Sequence, residues 1–180
     1  SAQRLHRLVE NFLIYAQIEI IGVDPDRVAA LRSLRIAQPR AFIEFLAREK
    51  AQEYRREADL QLHVQEVPVV RIVKDNLQKI VTELVDNAFK FSKTGTPVHV
   101  ENVVEGNNCL LRVTNVGRGM TPEQIAAVGA YTQFERKIYE QQGTGLGLII
   151  AKRLADLHQG TLTIESTPGQ TTTVSVTLPL

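Results

Sequence analysis

The stretch that most constrains this 180-residue chain is GTGLGL at 143–148, three glycines at alternate positions running straight into the helical pattern IIAKRLADLH. A glycine-rich turn that opens a helix points unpaired backbone N–H groups and the positive helix end at one spot, a ready seat for phosphate. The better-known phosphate motifs fail on spacing. A P-loop requires GxxxxGK[S/T], and no Lys-Ser/Thr stands at the required place. A dinucleotide fingerprint requires GxGxxG after a strand, whereas this chain has GxGxG after the polar run YEQQ. The protein-kinase glycine loop fails for the same reason. Alone, the three glycines read at least as well as a plain structural turn.

Two other stretches carry chemistry. In TELVDNAFKFS (82–92) a helix of about 100° per residue places Glu83, Asn87 and Lys90 in one stripe beside an apolar one, with Asp86 at its edge. An amide oxygen suits Mg²⁺, a lysine supplies a point charge to phosphate, and a glutamate can orient or deprotonate a nucleophile. The alternative is an ordinary solvated helix face. In VTNVGRGM (113–120) a strand ends in a polar residue and two glycines follow. Bare backbone there lets a flat ring approach, and Asn115 can hydrogen-bond an exocyclic amine; a glycine-rich turn after an edge strand is the alternative.

Around these stretches the chain alternates helical and strand patterns. LHRLVENFLIYAQIE places Leu5, Leu8, Phe12 and Tyr15 in a short heptad-like seam, suited equally to another helix or to its own domain. GVDPD is a break, and a charged helical stretch runs from Arg27 to about Ala58, interrupted at Pro39. DLQLHV reads as a strand, 74–91 as a helix, and VHVENVV with CLLRVTN as a hairpin. Residues 116–142 lack strong periodicity and read as a long mobile loop with short helical pieces. The helix after GTGLGL stops at Gly160, and TLTIES with TTTVSVTLP closes the chain as a second hairpin.

With 21 basic and 20 acidic side chains, the balance argues against a dedicated nucleic-acid surface. Cys109, the one cysteine, excludes a disulfide framework and reads as a small buried strand residue. No apolar run approaches membrane-spanning length and nothing resembles a signal peptide, so the reading is a cytoplasmic domain without membrane contact. Opening at Ser1 inside a helical pattern, it reads as a piece of a longer protein.

Helix ELVDNAFKF, a hairpin ending in NVGRGM, a loop, GTGLGL opening a helix and a final hairpin follow in that order. Over about residues 59–180 this resembles the catalytic ATP-binding domain of sensor histidine kinases. That superfamily is shared with gyrase-type topoisomerases, mismatch-repair ATPases and anti-sigma-factor kinases. The resemblance implies an α/β (α+β) two-layer sandwich of the Bergerat type, a mixed, mostly antiparallel sheet with helices on one face. Residues 1–58 are then a helical segment, the end of a dimerisation helix plus connecting helices.

By the same resemblance the cofactors are ATP and Mg²⁺. Asn87 would coordinate the metal, Glu83 would assist catalysis and Lys90 would reach the phosphates. Asn115, Gly117 and Gly119 would border the adenine. Gly143, Thr144, Gly145, Leu146 and Gly147 would wrap the triphosphate. QFER (133–136) resembles the aromatic lid motif, with Phe134 pinning the lid and Arg136 touching phosphate.

Two departures stand out. Asn115 occupies a place where the family usually has aspartate, so ATP binding is expected to be weaker by about 1 kcal/mol. None of His6, His63, His99 and His158 has the acceptor pattern His-(Glu/Asp)-x-(Arg/Lys)-x-Pro. The expected partners are therefore an acceptor-histidine dimerisation domain of the same protein and a response-regulator receiver domain, with the N-terminal helix a candidate homodimer contact. Rival readings are an ATP-hydrolysing conformational switch and a degenerate binding module.

Overall fold

A computed structural model describes residues 2–129 and 146–180. Helix α1 (Ala2–Gly22) turns at Asp24, whose side chain accepts from the backbone of Asp26 and Arg27 and so caps α2 (Pro25–Arg32). The helical stretch expected from Arg27 to Ala58 is broken earlier and differently. Strand β1 (Ile36–Ala37) intervenes, Gln38 takes a positive φ of 48°, and Pro39 stands at the N-cap of α3 (Arg40–Glu53). β1 pairs with β3 (Val69–Val70), a long-range partner that no local pattern announces.

Among the described residues the main sheet has five strands: β2 (Leu60–His63), β4 (Val98–Glu105), β5 (Asn108–Val116), β7 (Thr171–Pro179) and β6 (Thr161–Ser166), side by side in that order. Only β2 runs parallel to its neighbour; the other pairings are antiparallel. Alternation along β4, β5 and β7 turns Val98, Val100, Leu111, Val113, Val174 and Val176 to the core. Helices α4 (Lys74–Lys90) and α6 (Leu146–Leu157) bury Ile80, Val81, Leu84, Ile149, Ile150 and Leu154 in that same core. The mixed sheet with a helical layer on one face is the architecture the resemblance implied.

Helix α5 (Pro122–Gly129) is a short helical piece of the kind expected within 116–142. The left-handed residue after α6 is Gln159, φ 62°, and not Gly160. Gly160 is needed for a different reason: a Cβ there would lie 2.1 Å from the Thr177 carbonyl oxygen. Helix α1 packs on α6 and α2 through Asn11, Ile14, Tyr15, Ile18 and Ile21. The short seam of Leu5, Leu8, Phe12 and Tyr15 is therefore split, with Tyr15 turned inward and Leu5 and Phe12 exposed. Among the described residues no helix is long and apolar enough to cross a membrane.

Candidate functional site

The strongly amphipathic helix α4 carries its polar row from the interior outward. Glu83 is buried, Asn87 half-buried and Lys90 exposed, so a uniformly solvated face is not what this helix presents. The Glu83 carboxylate accepts from Lys79 Nζ at 2.6 Å, one helical turn earlier, and from Arg7 Nη2 of α1 at 3.0 Å. The same Arg7 nitrogen donates to Asp86 Oδ2 at 2.7 Å. Tyr54 Oη donates to Asp86 Oδ1 at 3.1 Å, and Lys79 also donates to Asn11 Oδ1 at 2.8 Å.

These contacts set the electrostatics. Burial pulls the Arg7 guanidinium down, but Glu83 and Asp86 together hold it above its ordinary value. Tyr54 is pushed up, first by burial and then by the Asp86 charge. Lys90 is pushed down by burial, with Arg7 and Arg4 adding to that and Asp86 and Glu83 opposing it.

Gly147, at the start of the described α6, brings the glycine-rich stretch against α4. A Cβ on it would stand 1.9 Å from Glu83 Oε2. Leu146 is half-buried beside it. Gly143, Thr144, Gly145, Phe134 and Arg136 lie outside the described residues.

On the other side, Asn115 is the last residue but one of β5 and is 4% exposed. Gly117 bridges to Ser92, and a Cβ on it would stand 2.0 Å from the Phe91 carbonyl oxygen and 3.2 Å from Asn115 Nδ2. Gly119 takes φ 77°, with a Cβ position 2.8 Å from Pro168 Cα. The bareness of both glycines thus serves backbone-on-backbone packing as well as any approach by a ring.

The histidines are placed apart in character. His6 is exposed and pairs with Glu10 at 3.2 Å; His63 and His99 stack, ring centroids 6.2 Å apart. His158 is buried, takes a 2.9 Å hydrogen bond from Asn76 Nδ2 on Nε2, and has no partner for Nδ1 among the described residues.

Sequence reasoning missed Arg7, Tyr54 and Lys79. The i, i+4 spacing of Lys79 and Glu83 was there to be read; Arg7 and Tyr54 come from other elements and gave no local signal.

Residues 72–180 match the family described as histidine kinase-, DNA gyrase B- and HSP90-like ATPases. An uncharacterised sensor-like histidine kinase of Rhizobium meliloti is 30% identical over 185 residues, 99% of this chain and 34% of that protein. The circadian input-output histidine kinase CikA of Synechococcus elongatus is 33% identical over 187 residues, 99% of this chain and 24% of its own length. The chain thus spans about a third or less of these relatives. Among solved structures, the Acinetobacter baumannii histidine kinase AdeS aligns with a TM-score of 0.71 at 18% identity, covering 99% of this chain and 79% of that one. The mycobacterial sensor histidine kinase MprB aligns with a TM-score of 0.63 at 23% identity, covering 81% and 97%. At such identities these two speak for the fold.

Proposed function

The chain belongs to the histidine kinase-, DNA gyrase B- and HSP90-like ATPases, and within that family we propose that it is the ATP-binding catalytic part of a sensor histidine kinase of two-component signalling. Its task is to present the γ-phosphoryl group of Mg·ATP to an acceptor histidine on a partner helix, from which it passes to a response-regulator aspartate. We assign residues 59–180 to this catalytic unit and 1–58 to the helical segment before it.

The observation that carries the reading is the approach of Gly147 to Glu83. It joins two sequence-distant boxes, the polar row of α4 and the glycine-rich stretch, at one place that a single methyl group would fill. The residues fit the implied ligand. Asn87, half-buried one turn beyond Glu83, offers an amide oxygen of the kind Mg²⁺ takes. Lys90, at the exposed end, offers a point charge to phosphate. The N-terminal start of α6, where Gly147 stands, favours an anion. Asn115, buried near the end of β5, has an amide to pair with a base. When bound, Mg·ATP supplies the transferable phosphoryl group.

The contribution of the protein is positioning and charge compensation around an in-line transfer. Glu83 is the carboxylate placed to orient the incoming imidazole. Its own charge is balanced by Lys79 and Arg7, so it does not repel an anionic ligand unopposed. The outward face of α1, with Leu5, Val9, Phe12, Leu13 and Ile20 exposed, supports pairing with a second copy.

Thermal unfolding followed with Mg·ATP or Mg·ADP should rise in midpoint by mass action. Adding a separate acceptor-helix domain with labelled ATP should then give acid-labile, alkali-stable phosphate on that domain and little on the chain itself. Multiple-turnover phosphate release to water without transfer would favour the hydrolytic switch, and no nucleotide shift at all would favour the degenerate module. Either result would displace the kinase reading.

A further inference from the structure

Residues 54–56 lie outside the span matched to the family, yet they grip the helix that carries Glu83, Asn87 and Lys90. Tyr54 stacks on Phe89, ring centroids 5.5 Å apart and planes at 20°. The Arg56 guanidinium lies 5.1 Å from the centroid of the same ring. Between them Arg55 takes a left-handed φ of 55°, a conformation that L residues adopt only at a cost. That local reversal lets two near neighbours reach one ring.

From this grip the two side chains act in different directions. Tyr54 sends its hydroxyl to Asp86, which Arg7 engages on its other oxygen, and so fixes the turn of α4 between Glu83 and Asn87. Arg56 is 6% exposed and works on the other end. Its Nη1 donates to Phe89 O at 3.0 Å, Ser92 O at 3.2 Å and Ser92 Oγ at 3.0 Å, closing the C-terminus of α4. Its Nη2 donates to Lys93 O at 2.6 Å and Thr96 O at 3.1 Å. Its Nε donates to Asp59 Oδ2 at 2.7 Å, and Asp59 in turn accepts from Gly95 N at 2.9 Å. The 91–96 loop held in this way is the floor under the 115–119 turn: Ser92 bridges Gly117, and the Arg118 guanidinium sits 4.7 Å from the Phe91 ring centroid.

We propose that Tyr54 and Arg56 are positioning residues of the nucleotide site, Tyr54 for its phosphate end through Asp86 and Arg56 for its base end through the 91–96 loop. The proposal rests on the nucleotide-binding reading above. A lysine cannot replace Arg56, because a single ammonium has three donors and lacks the rigid fork that spans these carbonyls.

The test is calorimetric titration of the chain, Tyr54→Phe and Arg56→Lys with adenosine and with Mg·ATP. Tyr54→Phe keeps the stacked ring and should weaken Mg·ATP by about threefold to tenfold while leaving adenosine unchanged. Arg56→Lys should weaken both ligands by a common factor, about fivefold or more. A merely structural role would not make Tyr54→Phe discriminate between Mg·ATP and adenosine. Equal losses for both ligands in Tyr54→Phe, or unchanged binding of both by Arg56→Lys, overturns the assignment. If Arg56→Lys fails to fold, Asp59→Ala removes the shared acceptor of Arg56 and Gly95 and should reproduce its pattern. A parent chain that binds neither ligand overturns the nucleotide reading, and this proposal with it.

Discussion

Gly147→Ala tests the central contact of the site, and its effect should depend on what stands at position 83. A methyl group there would lie 1.9 Å from Glu83 Oε2 and 2.7 Å from Cδ. The carboxylate must withdraw by roughly 1 Å or more to relieve the overlap. Moving it breaks the Arg7 bond to Oε2, a charge-assisted contact of about 1.5–3 kcal/mol when well buried. The Arg7 side chain is 44% exposed, so solvent screening lowers that to about 1–2 kcal/mol. Against this, alanine inside a helix gains about 0.8–1 kcal/mol over glycine. The single variant should therefore be neutral or destabilised by about 1 kcal/mol. In a Glu83→Ala background nothing opposes the methyl group, and the same change should stabilise by up to about 1 kcal/mol. Urea unfolding of the four chains, followed by circular dichroism, gives the coupling, expected at about 1–2 kcal/mol. A Gly147→Ala effect of the same sign and size in both backgrounds would refute the contact.

Gly117→Ala should be costlier, by about 3 kcal/mol or more, because its methyl group would meet the Phe91 carbonyl at 2.0 Å and backbone cannot swing aside; denaturant melts of the two glycine variants compare them directly. Asn115→Asp should tighten Mg·ATP binding by about 1 kcal/mol, read by titration, since a carboxylate accepts from an amine more strongly than an amide oxygen does; equal or weaker binding counts against the base-pairing role of this residue. Burial, with a smaller push from Arg32, lowers the His158 pKa to about 4 from an ordinary 6.5. As pH falls through that window the unfolded chain takes up the proton first, so this stabilisation is whole above about pH 6.5 and is lost towards pH 4. Unfolding at pH 7 and pH 4.5 should differ by about 2 kcal/mol more in the parent than in His158→Gln, and identical pH slopes would refute it.

What the sequence made legible was what local periodicity controls. The α4 stripe, the strand alternation in β4, β5 and β7 and the apolar stripe of α6 follow from 3.6- and 2-residue repeats, and each lies where the spacing put it. The miscues came where a partner far along the chain decides the outcome. β1 is two residues that form a strand because Val69 and Val70 are there to pair with them. Gly160 does stand at the helix stop, its N–H closing on the Ala155 carbonyl at 2.8 Å, but its smallness answers to Thr177 on a neighbouring strand. Helix α1 is apolar on two opposite faces, and nothing in its own spacing says that Ile14 and Ile18 turn inward while Leu5 and Phe12 stay exposed.

The same distinction explains why the site was only half legible. Glu83 and Asp86 could be placed on a helix from spacing alone, but their burial, with side chains 4% and 8% exposed, could not. Two ionised carboxylates held out of water cost several kcal/mol each unless cations and donors meet them. Lys79 answers locally, at i−4, while Arg7 and Tyr54 arrive from α1 and from the chain beyond α3. That requirement could have been deduced from the motif: a carboxylate beside a proposed triphosphate seat has to be compensated, or the site would repel its ligand. Which residues compensate it is a matter of tertiary docking. Under the proposed nucleotide reading, segments that precede the family-matched span complete the phosphate end, and a variant there should alter nucleotide binding without touching any motif residue.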